Sequence, residues 1–325
     1  MPKDYYIQPD APDLVLSNEQ VLAFARQHAP GAVAVTGVDE TGGEARTYAI
    51  DDNLIFKTQR PQQLRPSTSL KKEVLFLQQL EGMEGIRVPK VIGYGHPEPL
   101  IEYTLMTRMP GVAFRNAELT GETRRETLKD LGRTLRRLHA IPQETLRASG
   151  LLFGDQSPVD VRWRMGSMFD TLAEMIQKRG LNWDYSISPE QVGRRVMACM
   201  PDTWEIVALH SNPGPDHTFV DPASGKLTGI IDFGDAYFSH PTHDLRRFRA
   251  PEDRAELLSG YFEDAPASEE FMGVWRVACA IADIVAVALS PEFRDAAAAE
   301  LDRLLAECSG STIVFCTETG APLLM

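Results

Sequence analysis

The chain has 325 residues, a formal net charge of -13 and 43% hydrophobic residues. This composition excludes a disordered or fibrous chain, and surface-to-volume scaling favours two packed lobes over one large core. The acidic excess excludes a general nucleic-acid binder, because affinity for phosphates comes from Lys and Arg. The same charge is compatible with a solvated surface or with attraction of a cationic substrate.

The sequence pattern of residues 1–109 predicts a small lobe built on an antiparallel sheet. Ser17 is a helix N-cap residue, with apolar residues following at helical spacing. Strand patterns then occur at residues 33–35, 48–50, 54–57, 88–93 and 100–106, and a helical pattern at residues 70–80. Pro110 and Gly111 interrupt the pattern, and we interpret them as the hinge between two lobes.

The sequence pattern of residues 110–325 predicts a mainly helical lobe. Helical patterns cover residues 122–139, 161–179, 189–200, 251–262, 268–289 and 291–308. Two short strands, at residues 217–220 and 227–231, flank a turn that contains Pro222 and Gly225. Residues 311–325 have no assignable pattern.

The cysteines and the most apolar stretch bear on cellular location. Cys199, Cys279, Cys308 and Cys316 lack metal-type spacing, and no signal-peptide pattern is present, which favours a reducing cytoplasm. Residues 271–289 are interrupted by Arg276 and Asp283, whereas a membrane span needs about 20 apolar residues. The sequence therefore predicts a cytoplasmic protein with no membrane segment.

The strongest chemical signal is the segment IIDFGDA at residues 230–236. It places the carboxylate of Asp232 at the end of an apolar strand and before a glycine. An oxygen ligand in that position suits Mg²⁺, a hard ion that bridges nucleotide phosphates. An ordinary strand-ending turn is the alternative, and the flanking motifs decide against it.

Those flanking motifs carry a family resemblance. LHSNPGPDHTFVD at residues 209–221 and HPTHDL at residues 240–245 resemble the catalytic loop and site-closing segment of aminoglycoside phosphotransferases, choline kinases and related small-molecule kinases. The resemblance covers roughly residues 30–290. It implies an α+β, two-lobed, protein-kinase-like fold that transfers a phosphoryl group from ATP or GTP, with Mg²⁺, to a small-molecule hydroxyl. It also implies that Asp244 mainly supports the loop structurally.

The small lobe offers an independent set of nucleotide-binding candidates. Phosphate binding needs a flexible turn above the nucleotide and a cation beneath it. Gly42 and Gly43 supply the turn, Lys57 supplies the cation, and Glu73 is the candidate partner of Lys57. Each of these residues alone also fits a hairpin turn, a surface lysine or a solvated helix residue, but their order ahead of Asp232 favours the nucleotide site.

Two further segments match the family. LMTRMPG at residues 105–111 resembles the hinge that reads the adenine edge, which implies contacts from the Thr107 carbonyl and the Met109 amide. LHA at residues 138–140 resembles the family's helix end, and we interpret His139 as a helix-terminating residue.

The catalytic loop departs from the family pattern at two positions. The resemblance implies Asn212 and His210 as the catalytic candidates. Asn212, two residues after His210, replaces the aspartate that accepts or orients the substrate hydroxyl, and a neutral amide cannot take a proton. His217 replaces the asparagine that helps to hold metal, and imidazole is a poorer partner for Mg²⁺. Asp216 is either a substitute metal ligand or a turn residue. Asp235 is either a structural hydrogen-bonding residue or a metal ligand.

Two functions therefore remain open at the level of sequence. The first is a kinase that acts on a small molecule and has an atypical loop with reduced activity, since a general base contributes about 10² to 10⁴ in rate. The second is a nucleotide-binding pseudokinase with a sensing or scaffolding role. The acceptor remains open between aminoglycosides, choline-like compounds, amino acids and sugars.

Overall fold

The computed structural model describes residues 6–66 and 68–310, so the unassigned segment 311–325 lies outside the described residues. It confirms the predicted α+β fold with two lobes. The elements of the small lobe are α1 (Asn18–Ala25), β1 (Val35–Asp39), β2 (Ala45–Ile50), β3 (Leu54–Gln59), α2 (Leu70–Leu80), β4 (Val91–Glu98) and β5 (Ile101–Thr107).

The small-lobe sheet has the strand order β1-β2-β3-β5-β4, and every pairing is antiparallel. Because side chains alternate along a strand, neighbours on the central strand β3 face opposite ways. Phe56 is fully buried in a cluster that includes Val21 of α1. Lys57 therefore points to the other face, where α2 packs.

Helix α2 carries a buried acid against this sheet. Ser69 caps its first turn by accepting a hydrogen bond from the Lys72 amide. Four residues after the cap, Glu73 is only 1% exposed. The local sequence thus fixes where the helix begins and which face carries Glu73.

The large lobe follows a short connection from β5. Its helices are α3 (Gly121–His139), α4 (Glu144–Ala148), α5 (Pro158–Arg179), α6 (Pro189–Met197), α7 (Thr242–Leu245), α8 (Pro251–Tyr261), α9 (Glu269–Leu289) and α10 (Arg294–Gly310). Its short strands are β6 (Val112–Ala113), β7 (Val207–Leu209), β8 (Thr218–Val220), β9 (Leu227–Ile230) and β10 (Tyr237–Ser239).

Glycine permits close packing at the hinge and within the large lobe. Gly111 has a φ of 88°, and a Cβ atom there would lie 2.2 Å from the Val220 carbonyl oxygen. Between α3 and α8, a Cβ atom on Gly132 would lie 2.1 Å from the Leu257 carbonyl oxygen. The boundary predicted after Met109 remains a prediction, although β5 ends two residues before it.

Helix α9 contains the apolar stretch, residues 271–289, for which the sequence predicts no membrane span. Among the described residues it is the one helix long and apolar enough to cross a membrane, and 78% of its most apolar window is buried inside the protein. Asp283 on this helix is fully buried and pairs with Arg254 of α8. Such burial is what a core helix shows.

The strand predictions were wrong in detail at several places, and the strand predicted at residues 48–50 begins earlier, at Ala45. Val33 lies outside the first strand, which begins at Val35, and its side chain is 71% exposed. The strand predicted at residues 88–93 begins at Val91, beyond Pro89, which has no N–H for a strand ladder, and it runs to Glu98.

Several short elements and helix ends also differ from the sequence prediction. The elements β6, β7, β10, α4 and α7 were not predicted, because segments of two to five residues show no periodic pattern. Helix α6 ends at Met197 rather than at residue 200. The last predicted helix divides into a 3₁₀ turn, Pro291–Phe293, and α10.

Candidate active site

The centre of the site is a lysine held by two carboxylates. Lys57 Nζ on β3 lies 3.0 Å from Glu73 Oε2 on α2 and 2.6 Å from Asp232 Oδ1, just after β9. Lys57 and Glu73 come from the small lobe and Asp232 from the large lobe. The structure therefore brings together three of the residues that the sequence predicted, across the two lobes.

The backbone at Asp232 is held in a sparsely populated conformation. Asp232 has a φ of 73°, in the left-handed region that few non-glycine residues adopt. The next amide, that of Phe233, donates to Glu73 Oε1 at 3.2 Å. Glu73 thus fixes both Lys57 and the backbone of the segment around Asp232, residues 231–235, which we call the metal loop. A strained backbone of this kind is typical of functional sites.

Electrostatics keep Lys57 and Asp232 charged, as contact with phosphates and a metal ion requires. Burial alone would raise the pKa of Asp232, but Lys57 and His217 hold that pKa well below its usual range. Burial alone would lower the pKa of Lys57, but Asp232 and Glu73 together raise it above its ordinary value. Lys57 is therefore an ammonium and Asp232 a carboxylate near neutral pH.

His217 presents a second ligand atom beside Asp232. Its Nδ1 lies 2.9 Å from the Asn212 carbonyl oxygen, which only accepts, so Nδ1 carries the proton. Its Nε2 lies 3.3 Å from Asp232 Oδ2: with a proton on Nε2 the two groups form an ion pair, and without that proton Nε2 presents a lone pair beside the carboxylate. In that neutral state, two acceptor atoms facing each other fit a cation between them, so the residues suit a divalent metal ion.

Such an ion needs further ligands. Within residues 6–66 and 68–310, no group of three or more His, Cys, Asp or Glu side chains could hold a metal. Mg²⁺ commonly takes one or two protein ligands together with substrate phosphates and water. Asp232 and His217 therefore fit a metal that is shared with a nucleotide.

Asp216 is not brought to this pair. Its carboxylate forms an ion pair with Arg115, and about half of its side chain is exposed. Asp232 pairs with Lys57 and His217, and no contact between Asp232 and Asp216 is present in the described part of the chain. The geometry favours the turn interpretation of Asp216 over a metal-binding one.

His210 organises the catalytic loop as a neutral imidazole. Its Nε2 donates to the Ile231 carbonyl oxygen at 2.8 Å, and its Nδ1 accepts from the Asn212 amide at 3.1 Å. Burial lowers the pKa of His210 to about 4. His210 thus ties the catalytic loop to the metal loop and is a positioning residue rather than an acid or base.

This burial predicts a pH dependence of stability. The folded-state pKa of His210 lies below its ordinary value of 6.5, so the unfolded chain takes up the proton first. The contribution of His210 is complete above pH 6.5 and is lost, at about 1.4 kcal/mol per pH unit, as the pH falls towards 4.

Urea unfolding between pH 4 and 8 measures that slope. His210→Asn should reduce the slope of unfolding free energy against pH in this window, whereas His96→Asn, at an exposed histidine, is the matched control. Equal slopes in the wild type and His210→Asn would contradict the neutral-imidazole assignment.

Asp244 supports the catalytic loop from beneath, as the resemblance implied. Its two oxygens accept hydrogen bonds from the His210 and Ser211 amides, both at 2.8 Å. His139 Nε2 lies 3.1 Å from Asp244, and Tyr261 contacts His139 Nδ1 at 3.0 Å. His139 does end α3, but its buried ring also holds Asp244, which the helix-terminating interpretation missed.

Sequence reasoning also missed the contacts around the glycine turn. Gly42 and Gly43 lie in the connection between β1 and β2, as predicted. In the next position, Glu44 pairs with Arg65, and Arg65 pairs in turn with Asp235. Asp235 thus makes a structural contact, one of the two interpretations left open by the sequence, here with the connection before α2.

The hinge candidates lie at the end of the small-lobe sheet. Thr107 ends β5, opposite Leu54 of β3, and its amide donates to the Lys90 carbonyl oxygen at 2.9 Å. Met109 is 8% exposed. Their contacts with an adenine ring remain a prediction.

Comparison with known proteins identifies the family. The model of the phosphotransferase enzyme family, APH, matches residues 38–275. Similar solved structures include the GDP and kanamycin complex of APH(2")-IIia, with a TM-score of 0.59 and 17% identity, covering 89% of this chain and 97% of that one. The streptomycin-ATP complex of APH(2")-IIa has a TM-score of 0.53 and 15% identity, covering 91% and 99%.

A macrolide 2'-phosphotransferase from Brachybacterium faecium has a TM-score of 0.52 and 18% identity, covering 86% of this chain and 98% of its own. At these identities the structural likeness shows the fold alone. The family model, however, spans more than half of the chain and contains Lys57, Glu73, Asn212 and Asp232. The chain belongs to the phosphotransferase enzyme family.

Proposed function

We propose that this chain transfers the terminal phosphoryl group of ATP or GTP to a hydroxyl group of a small molecule. The observation that carries the proposal is the bonding of Lys57 to Glu73 and Asp232 across the two lobes. That arrangement supplies one fixed cation and one metal-binding carboxylate, and the phosphates of a nucleotide require both.

Each residue has a distinct role in the proposed reaction. Lys57 binds the phosphates, and Asp232 and His217 hold Mg²⁺, which neutralises charge on the phosphates when bound. Asn212 orients the acceptor hydroxyl through its amide. Because phosphoryl transfer passes through a loose transition state, positioning by these groups lowers the barrier even where no base removes the proton.

Lys57→Met should weaken nucleotide binding by about tenfold or more, since charge-assisted hydrogen bonds to phosphate are lost. Calorimetric titration with ATP and Mg²⁺ measures the change. Lys71→Met, at an exposed lysine of α2, is the matched control. Because the substitution leaves Glu73 buried without its cation, a double variant with Glu73→Gln is measured alongside. Unchanged ATP affinity in both Lys57 variants would rule out the proposed phosphate site.

Asn212 favours a second candidate function, a nucleotide-binding pseudokinase, because an amide stands where the family keeps a carboxylate. Both functions require ATP to stabilise the folded chain. They differ in turnover, which is followed as release of ADP with a panel of acceptors. Binding without ADP release with any acceptor would favour the pseudokinase.

A further inference from the structure

A cluster of basic side chains lies beside the catalytic loop. Arg164 of α5 lies 4.9 Å from the centre of the Tyr237 ring, and that ring lies 6.0 Å from the ring of His243. Arg246 and Arg247, directly after α7, act electrostatically on both Tyr237 and His243. Three arginines from two parts of the large lobe therefore converge at one place.

Among the residues that the structure describes, Arg246 is buried there without an ion pair to a carboxylate. It is 6% exposed, and its side-chain hydrogen bond runs from Nη2 to the Met168 sulfur at 3.6 Å. Its Nε atom has no partner within the described ranges. Burial lowers the pKa of Arg246 to about 9, so it is still a cation at pH 7. Burying an unpaired charge is costly, and proteins normally supply a counter-charge.

The two acids of this region are engaged mainly by other groups, although the charge of Asp244 also acts on Arg246. Asp244, the nearest acid on the same segment, already accepts from two loop amides and contacts His139. Asp155 pairs with Arg164. Arg247 has no ion pair with a carboxylate anywhere in residues 6–66 and 68–310, and its buried Nε has no hydrogen-bond partner there.

His243 adds two donor or acceptor atoms but no charge. Both of its ring nitrogens are buried without partners in the part of the chain that the structure describes. Burial and the neighbouring arginines hold the pKa of His243 well below its ordinary value. The cluster therefore sets three arginines against the carboxylates of Asp155 and Asp244, so an excess of positive charge remains.

The cluster adjoins the place where the acceptor must lie. A Cβ atom on Gly214 of the catalytic loop would lie 3.5 Å from Asn212 Oδ1 and 3.6 Å from Arg247 Cβ. Arg247 is partly exposed, whereas Arg246 is buried. A small molecule with its hydroxyl at Asn212 can thus extend towards Arg247.

We propose that the acceptor of this phosphotransferase is an anion, with a carboxylate or phosphate group bound by Arg247 and stabilised by the charge of Arg246. This inference rests on the proposed function for the position of the acceptor. It replaces the cationic acceptor that the overall charge of -13 had left open, because the local charge beside Asn212 is opposite to that of the whole chain. A planar guanidinium suits either oxyanion.

Four sugars that differ mainly in charge test the proposal: glucose, glucosamine, glucuronate and glucose 6-phosphate. Each is titrated by calorimetry into protein saturated with Mg²⁺ and a non-hydrolysable ATP analogue, so that phosphates cannot occupy the nucleotide site. We expect glucuronate, glucose 6-phosphate or both to bind at least about tenfold more tightly than glucose and glucosamine. The stronger of the two shows whether the site prefers carboxylate or phosphate.

Arginine variants connect that preference to the cluster. Arg247→Gln should lose the tenfold preference for anions, and Arg246→Gln should lose part of it. Arg179→Gln, an exposed arginine at the far end of α5, should retain it. Arg246→Gln should also keep or raise the melting temperature of the ligand-free protein, because an unpaired buried charge is removed.

Three results would overturn the proposal. They are equal binding of all four sugars, tighter binding of glucosamine, and an unchanged anion preference in Arg247→Gln. A fourth measurement separates this proposal from the proposed function. Glucuronate and glucose are also titrated without nucleotide. If the chain binds no ATP but still binds glucuronate more tightly than glucose, the kinase function is rejected and the anion site is retained.

Discussion

Asp232→Ala should abolish the metal-dependent stabilisation that ATP gives to the folded chain. Asp232 is the carboxylate that faces both Lys57 and His217, so no second acid in the described site can replace it. A ligand at 100 times its dissociation constant stabilises a protein by about 2.7 kcal/mol, and that stabilisation should disappear. Thermal unfolding with ATP, in the presence of Mg²⁺ or of EDTA, measures the loss.

Two further variants make the result specific to the metal. Asp216→Ala removes a carboxylate from the same loop region but should keep the response, because Asp216 pairs with Arg115 at the surface. His217→Asn supplies an amide oxygen, which should keep the response to Mg²⁺ and reduce any preference for Mn²⁺. A metal-dependent shift that persists in Asp232→Ala would remove Asp232 from the metal site.

The sequence predicted the centre of the site because its chemistry is carried by local motifs. Asp232 follows an apolar strand, Lys57 lies on a strand of its own lobe, and Glu73 lies four residues after a helix cap. The contact itself joins residues 175 positions apart in the chain, Lys57 and Asp232. Only their order along the chain indicated that long-range pairing.

Other parts of the site had no such signal. Asp244 and His139 meet because α7 packs against α3, and helix packing of that kind leaves no local pattern. The pairing of Glu44 with Arg65 likewise depends on how the connection between β1 and β2 packs against the connection between β3 and α2. The proton positions on His210 and His217 follow from their partners and not from their place in a motif.

The basic cluster beside the catalytic loop could likewise not be predicted from the sequence. Arg246 and Arg247 lie in a charged stretch, residues 246–254, that in sequence fits a solvated surface. Packing against α5 buries Arg246 and leaves it without an ion pair to a carboxylate among the described residues. Whole-chain charge is therefore a poor guide to the polarity of the acceptor, because charge at the site depends on a few buried side chains.

Asn212→Asp should raise phosphoryl transfer by up to about 10² to 10⁴ if removal of the hydroxyl proton limits the rate. The backbone of Asn212 is fixed, since its amide donates to His210 and its carbonyl oxygen accepts from His217. The two side chains are nearly equal in size, so the exchange adds an anionic proton acceptor without changing the loop. Arg247, next to this loop, lowers the cost of the added charge.

Initial rates at saturating nucleotide, with anionic, neutral and cationic acceptors, measure the gain, and Asn182→Asp at an exposed asparagine is the control. A gain of only about tenfold would mean that positioning and charge neutralisation already provide most of the rate. The new carboxylate also repels an anionic acceptor, so KM should rise while kcat increases, and a cationic acceptor should show the opposite change in KM. If Asn212→Asp folds and binds ATP but transfers phosphate to none of these acceptors, the missing carboxylate is not what limits activity, and the pseudokinase function is favoured.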